Sequence, residues 1–244
     1  IFGEDNPADR LKQIVYDTLS FPCPVKPVED RIFSLELFHG PTHAFKDVGA
    51  RFMARMLQYF IHEEGTKEVN VLVATSGDTG SAVANGFLGV DGIRVFVLYP
   101  KGKVSAIQES QFTTLGQNIT PIEVDGVFDD CQALVKQAFM DDDLCHHMKL
   151  TSANSINVAR FLPQAFYYFH AYAQLKRMGK AENFVVCVPS GNFGNITAAI
   201  FARRMGLPIK RFIAANNAND VVCQYLQTGE YAPRPSVQTI ANAM

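Results

Sequence analysis

The chain has 244 residues, 48% of them hydrophobic, enough to bury a sizeable core in one or two domains. The formal net charge is −2 and Lys and Arg are scattered, which argues against a nucleic-acid surface, since that needs a concentrated basic stripe. No apolar run approaches membrane-spanning length and no signal-peptide pattern is expected, so no membrane partner is either.

Five cysteines (Cys23, Cys131, Cys145, Cys187, Cys223) are odd in number and form no C-x-x-C pair. Thiols so arranged point to a reduced, cytoplasmic compartment. Residues 1–20 read as a helix capped by Asp9, with Leu11, Ile14, Val15 and Leu19 on one face. Residues 21–27, interrupted by Pro22, Pro24 and Pro27, read as a connection, and 31–38 alternate like a strand. An amphipathic helix is expected over 48–60, with Val48, Phe52, Met53, Met56, Leu57 and Phe60 on one side. Arg51, Arg55 and Gln58 take the other side, and Gly65 stops the helix.

Residues 69–74 form a buried strand that runs into T-S-G-D-T-G at 75–80 and a small-residue helix from Ser81. Strands follow at 93–99, 119–124 and 148–152, and helices at 104–115 and 129–140. This alternation predicts a parallel sheet flanked by helices. A long helix is expected over 158–177, with Pro163 in its first turns. Its aromatics (Phe161, Phe166, Tyr167, Tyr168, Phe169, Tyr172) are expected in the core or at a subunit contact. A buried strand over 183–188 contains Cys187, read as a small hydrophobe. Then come P-S-G-N-F-G-N at 189–195, a helix through Arg204, a strand at 210–215 and an Asn-rich turn at 216–220.

The chain is organised around G-P-T-H-A-F-K-D at 40–47. Lys46 stands at a helix N-terminus between apolar neighbours, where the helix dipole repels a cation and burial desolvates it. Both effects lower a lysine pKa and yield the neutral amine that attacks carbonyls to form a Schiff base. The competing reading is a lysine that reaches water while Asp47 partners the dipole.

Two segments, 71–80 and 185–194, match each other: a buried strand, Ser-Gly-x-x-Gly, then a helix with small residues in its first turns. Such turns point backbone N–H groups at an anion, and the helix start adds positive partial charge. Neither fits the dinucleotide fingerprint or the P-loop, which weakens a nucleotide-binding reading. Paired with one activated lysine, they suggest one site for a cofactor phosphate and one for a substrate anion, at the carboxyl ends of the strands.

These segments resemble the fold-type II pyridoxal-phosphate enzymes, with residues 36–50 similar to the dehydratase-type lysine signature. The wording of 40–47, 75–80, Asn154, Ser155, Ile156, Asn157 with Arg160, and 190–195 resembles the threonine synthase family, in its branch found in many bacteria and in fungi. The resemblance implies two open parallel-sheet α/β lobes, as in the tryptophan synthase β-like enzymes, with pyridoxal 5′-phosphate between them. It assigns 42–150 to a smaller lobe and 1–41 with 151–244 to a larger one. Lys46 would hold the cofactor and shuttle protons, and Gly191, Asn192, Phe193, Gly194 and Asn195 would cradle its phosphate. Ser76, Gly77, Asp78 and Thr79 would grip the substrate carboxylate. Arg160, with Asn154 and Ser155, is the candidate for the substrate phosphate, against the alternative of a solvated helix arginine; Lys101 and Lys103 are further candidates.

The implied reaction converts O-phosphohomoserine and water to threonine and phosphate, the last step of threonine biosynthesis. A related dehydratase or phospholyase is the alternative, and so is a non-catalytic truncated relative. Both chain ends are expected to be incomplete, with the partner of the cofactor's pyridine nitrogen lying past Met244. A monomer or homodimer is expected. No metal is expected: His146 and His147 read as surface residues, and Asp141, Asp142 and Asp143 as a solvated loop. His43 is a further candidate for the site.

Overall fold

The computed structural model describes residues 6–66, 68–154, 157–235, 237 and 239–241. It forms two compact units, Ile1–Gln164 and Ala165–Met244.

The first unit opens with α1 (Ala8–Thr18), preceded by Pro7 in the capping position, so that Asp9 lies inside the first turn. Pro24 and Pro27 do not prevent a strand. β1 (Val25–Glu29) pairs antiparallel with β2 (Ile32–Leu35), Pro27 opposite Phe33, and the register slips between Pro27 and Glu29. A two-stranded ribbon tolerates a residue with no N–H to donate, which a central strand would not. The helix read over 48–60 is α2 (Asp47–Glu64), ended by Gly65 at φ 64°. Arg51, on its polar side, donates to the carbonyls of Asp17 (2.8 Å) and Thr18 (3.3 Å), so its charge satisfies the C-terminal end of α1.

The centre of this unit is a parallel sheet in the order β5-β4-β3-β6, from β3 (Val69–Ala74), β4 (Ile93–Pro100), β5 (Ile119–Val124) and β6 (Leu150–Ser152). β3 and β4 run in register from Val69 opposite Ile93 to Ala74 opposite Leu98. Val69, Val71 and Val73 face a cluster that includes Ala50, Met53 and Ala54 of α2 and Ala82, Val83 and Phe87 of α3 (Asp78–Phe87). Leu72 and Ala74 face Cys131 and Val135 of α5 (Phe128–Met140). Both faces are covered, which is why β3 is an unbroken apolar run.

α4 (Ala106–Thr113), capped by Ser105, places Phe112 in the same core as α2 and α3. The expected solvated loop at 141–143 instead starts a short helix, α6 (Asp142–His147), because the Asp141 carboxylate accepts from Leu144 N at 2.9 Å and nucleates the turn. His146 and His147 are exposed at its end, and no metal-holding cluster occurs among the described residues.

The helix read over 158–177 is three pieces: α7 (Val158–Phe161), a 3₁₀ turn (Leu162–Gln164) and α8 (Ala165–Arg177). Pro163 has no N–H to donate and crowds the carbonyl four residues earlier, so one continuous helix is excluded. Gln164 ends the first unit, and α8 belongs to the second.

In the second unit β7 (Val185–Pro189) and β8 (Arg211–Ala215) pair in parallel, followed by α10 (Val221–Thr228). α9 (Gly194–Arg204) lies between them in sequence and packs Ile196, Ala198, Ala199 and Ala202 with Val186, Val188, Ala165 and Tyr168. β7 is buried on one face only: Val186 and Val188 point inward while Val185 and Cys187 are exposed. The uniformly buried strand expected there is an alternating one. Tyr167 and Tyr168 are core residues of α8, as expected, whereas Phe169 is exposed.

Candidate active site

The segment 40–47 is folded tightly on itself. Thr42 donates through its backbone N to Asp47 Oδ2 (3.0 Å) and through its hydroxyl to Asp47 Oδ1 (2.5 Å). A Cβ at Gly40 would collide with that carboxylate, so glycine is required there. Burial raises the Asp47 pKa while the two Thr42 bonds hold it down. Asp47 is thereby committed to the turn, and His43, at φ 57°, is pinned outside by donating Nδ1–H to Phe38 O at 3.0 Å.

Lys46 is the N-cap residue of α2 and only 9% exposed. Its side chain is 11% exposed and so does not extend freely into water. Its Nζ lies 4.0 Å from Asp78 Oδ2 and 5.8 Å from the centre of the Phe45 ring. Burial drives its pKa below the ordinary lysine value; Asp78 opposes this and the charge of Arg160 adds to it. A buried amine with a lowered pKa at a helix N-terminus is equipped for nucleophilic attack on a carbonyl.

Asp78 belongs to the first glycine turn, which leaves the carboxyl end of β3. Thr75, fully buried, ties this turn together: its Oγ1 accepts from Gly77 N (2.9 Å) and Gly80 N (2.7 Å) and donates to Gly77 O (3.0 Å). Gly77 sits at φ 145°, a conformation reserved for glycine. Among the described residues the backbone N–H groups of Ser76, Asp78 and Thr79 have no acceptor, and they open the N-terminus of α3. β3 is held in place behind the turn by Asn154, whose side-chain amide accepts from Ala74 N (3.2 Å) and donates to Ala74 O (2.9 Å), continuing the ladder beyond β6.

Arg160 is not a solvated helix arginine. It is 2% exposed, bonds the Ala153 carbonyl through one terminal nitrogen, and has no partner for its Nε among the described residues. Burial pushes its pKa down to about 10 against the opposing pull of Asp47. Its backbone carbonyl lies where a Cβ on Gly49 would be, so α2 and α7 touch directly three residues after Lys46. Ser155 lies outside the described residues, and Lys101 and Lys103 are exposed. The structure therefore brings Lys46, Asp78 and Arg160 together and leaves those two lysines at the surface.

In the second unit, Ser190 joins β7 to the other glycine turn by donating its N–H to Ala215 O (2.9 Å) and its hydroxyl to Val188 O (3.0 Å). Phe193 caps α9 at φ 61°, with its N–H on Ser190 O at 2.7 Å. Thr197 Oγ1 donates to Phe193 O (2.7 Å), and the Tyr168 hydroxyl is bonded to Asn195 Oδ1. The N–H groups of Gly191, Asn192 and Gly194 have no acceptor among the described residues. This nest carries no charged side chain and opens a helix N-terminus, the setting in which backbone amides receive a phosphate.

Two residues of the first site were given no role by the sequence: Thr75, although it opens the T-S-G-D-T-G motif, and Gln108 of α4, which lies in no motif and donates through Nε2 to Asp78 Oδ1 at 2.5 Å. A threonine just before Ser-Gly was a usable sign for the former. Gln108 lies thirty positions from its partner and nothing in the sequence joins them.

The chain belongs to the family of pyridoxal-phosphate dependent enzymes, whose model matches residues 22–244. Within that family it is similar to threonine synthases. The threonine synthase of Serratia marcescens is 52% identical over 242 residues, covering 99% of this chain and 56% of that protein. The crystal structure of threonine synthase from Escherichia coli superposes with a TM-score of 0.89 at 51% identity, over 99% of this chain and 56% of the other. The pyridoxal-phosphate-bound threonine synthase of Brucella melitensis gives 0.88 at 41% identity, over 97% and 52%. The chain thus spans about half the length of the relatives it matches.

Proposed function

We propose that this chain carries the cofactor lysine and both anion-binding turns of a threonine synthase, forming threonine and inorganic phosphate from O-phosphohomoserine and water. The observation that carries the proposal is the buried Lys46 amine, held at a helix N-terminus beside Asp78. The chemistry of each unit, taken by itself, suits pyridoxal 5′-phosphate: the first offers an amine for an aldehyde carbon at Lys46, and the second an uncharged nest of N–H groups at Gly191, Asn192 and Gly194, bounded by Phe193 and Asn195, for a phosphate. When bound, the cofactor supplies an electron sink for carbanions on the substrate.

The protein's own groups do the rest. The N–H groups of Ser76, Asp78 and Thr79, with Gly77 shaping the turn, receive the substrate carboxylate. Lys46 Nζ takes and returns protons, a task that suits an amine whose proton is loosely held near neutral pH. Arg160, whose Nε has no partner among the described residues, and Ser155 are assigned to the substrate phosphate, and Asn154 to holding β3 behind them. Phosphate leaves from the γ carbon and water adds at the β carbon. The grouping of 42–150 as one lobe, with 1–41 and 151–244 forming the other, belongs to this proposal, as do a cytoplasmic location and a monomeric or homodimeric state. Among the described residues, no helix is long and apolar enough to cross a membrane.

The test adds cofactor and O-phosphohomoserine to the purified protein. Threonine and phosphate should appear in equal amounts, and Lys46→Ala should abolish covalent cofactor attachment and lower the rate by about 100- to 10,000-fold. Release of a keto acid and ammonia instead, or attachment that survives Lys46→Ala, would overturn the assignment.

A further inference from the structure

Outside the two glycine turns, one residue is bonded to the first of them through its side chain, with its other polar atoms also engaged, but has no role in the chemistry above. Gln108 lies in the first turn of α4, partly buried. Its Nε2 donates to Asp78 Oδ1 (2.5 Å), and its Oε1 accepts from Ser105 Oγ (2.8 Å). Ser105 Oγ in turn accepts from Gln108 N (3.4 Å), while the Gln108 carbonyl accepts from Ser81 Oγ (3.2 Å). These bonds fix the amide: with Oε1 engaged by Ser105, Nε2 has to face Asp78. Gly77 completes the fit, because a Cβ there would stand 2.5 Å from the Gln108 side chain.

The Asp78 carboxylate is therefore shared. One oxygen is held by α4, and the other lies 4.0 Å from Lys46 Nζ. The Asp78 side chain is 28% exposed, so without a donor on Oδ1 it is free to rotate toward water. We propose that Gln108 is a positioning residue for the cofactor lysine: its amide locks the Asp78 carboxylate with one oxygen turned to Lys46. The assignment rests on the proposed role of Lys46. It extends that reading to α4, which lends no residue to either turn yet orients the carboxylate that faces the reacting amine.

The groups facing Lys46 are Asp78 from α3 and Arg160 from α7, with Asp47 beside it in the chain turned to Thr42. Releasing Asp78 leaves Arg160 as the nearer influence, so Lys46 should lose its proton at lower pH. The experiment follows reductive methylation of Lys46 by formaldehyde and borohydride, read by mass spectrometry against pH, on the full chain before cofactor is added. Gln108→Leu should lower the midpoint of the profile by roughly half to one pH unit, and Asp78→Asn by at least as much. The double variant should shift no further than Asp78→Asn alone, the signature of one residue acting through the other.

A midpoint unmoved by Gln108→Leu would overturn the proposal, as would additive shifts in the double variant. So would a faster reaction at every pH with the midpoint unchanged, which is what a merely loosened site would give. Should Gln108→Leu fail to fold, Gln108→Asn, one methylene too short to reach Asp78, carries the same test. Because no cofactor is present, failure to turn over O-phosphohomoserine would defeat the proposed function and leave this result standing.

Discussion

The two glycine turns share a frame and differ in what holds them. At 75–80 the turn is built from inside, around the buried Thr75 hydroxyl, and places the Asp78 carboxylate beside a lysine. At 190–195 it is fastened from outside, through Ser190 to two strands and through Tyr168 to Asn195, and the position equivalent to Asp78 is the neutral Asn192. On the proposed function, the same backbone device serves two different ligands. A dianion is best received by amides with no carboxylate nearby, whereas a zwitterion that meets an amine tolerates one. Charge at a single position separates the two sites more sharply than their backbones do.

The contrast is open to attack. Thr75→Val keeps the shape but leaves two buried N–H groups without an acceptor, and should cost about 2–4 kcal/mol in denaturant unfolding. A loss below 1 kcal/mol would mean the first turn does not depend on its hydroxyl. Asn192→Asp should weaken binding of pyridoxal phosphate by about five- to thirtyfold, or about 1–2 kcal/mol, measured by equilibrium titration. If affinity is unchanged, the neutrality of the second turn has no bearing on its ligand.

A smaller effect comes from Lys46 itself, whose pKa is lower folded than unfolded. Between that lowered value and the ordinary 10.5, the unfolded chain holds a proton that the folded chain has released, so stability rises with pH across the window. The slope from this group reaches at most about 1.4 kcal/mol per pH unit, and Lys46→Met should remove it from a series of unfolding curves. Smallest of all, Ser190→Ala should cost about 1 kcal/mol, since only the Val188 bond is lost and the backbone tie to Ala215 remains.

Much of this was legible from local signals. The strand at 69–74 reads off as a continuous apolar run because helices cover both of its faces, and α2 because its apolar stripe recurs at helical spacing. Lys46 and the two turns were legible because glycine and a helix start are local features. What escaped was decided at a distance. Pro27 enters a strand because its partner is a lone ribbon, Pro163 divides a helix that its aromatics extend, and Cys187 is exposed because only one face of β7 is covered. The burial of Arg160 depends on α2 passing close by, and Gln108 is visible only once α4 has folded against the first turn.

Gly49 deserves a last thought for what it lacks. With hydrogen in place of a methyl group, it lets one helix rest on the carbonyl of another a single turn away from the amine. Any bulkier residue would wedge those helices apart and move Lys46 relative to Asp78 without altering a single functional group. A chain damaged there would look chemically intact in its sequence and yet be misaligned, so variants at this position are best sought by a lost geometry rather than a lost reagent.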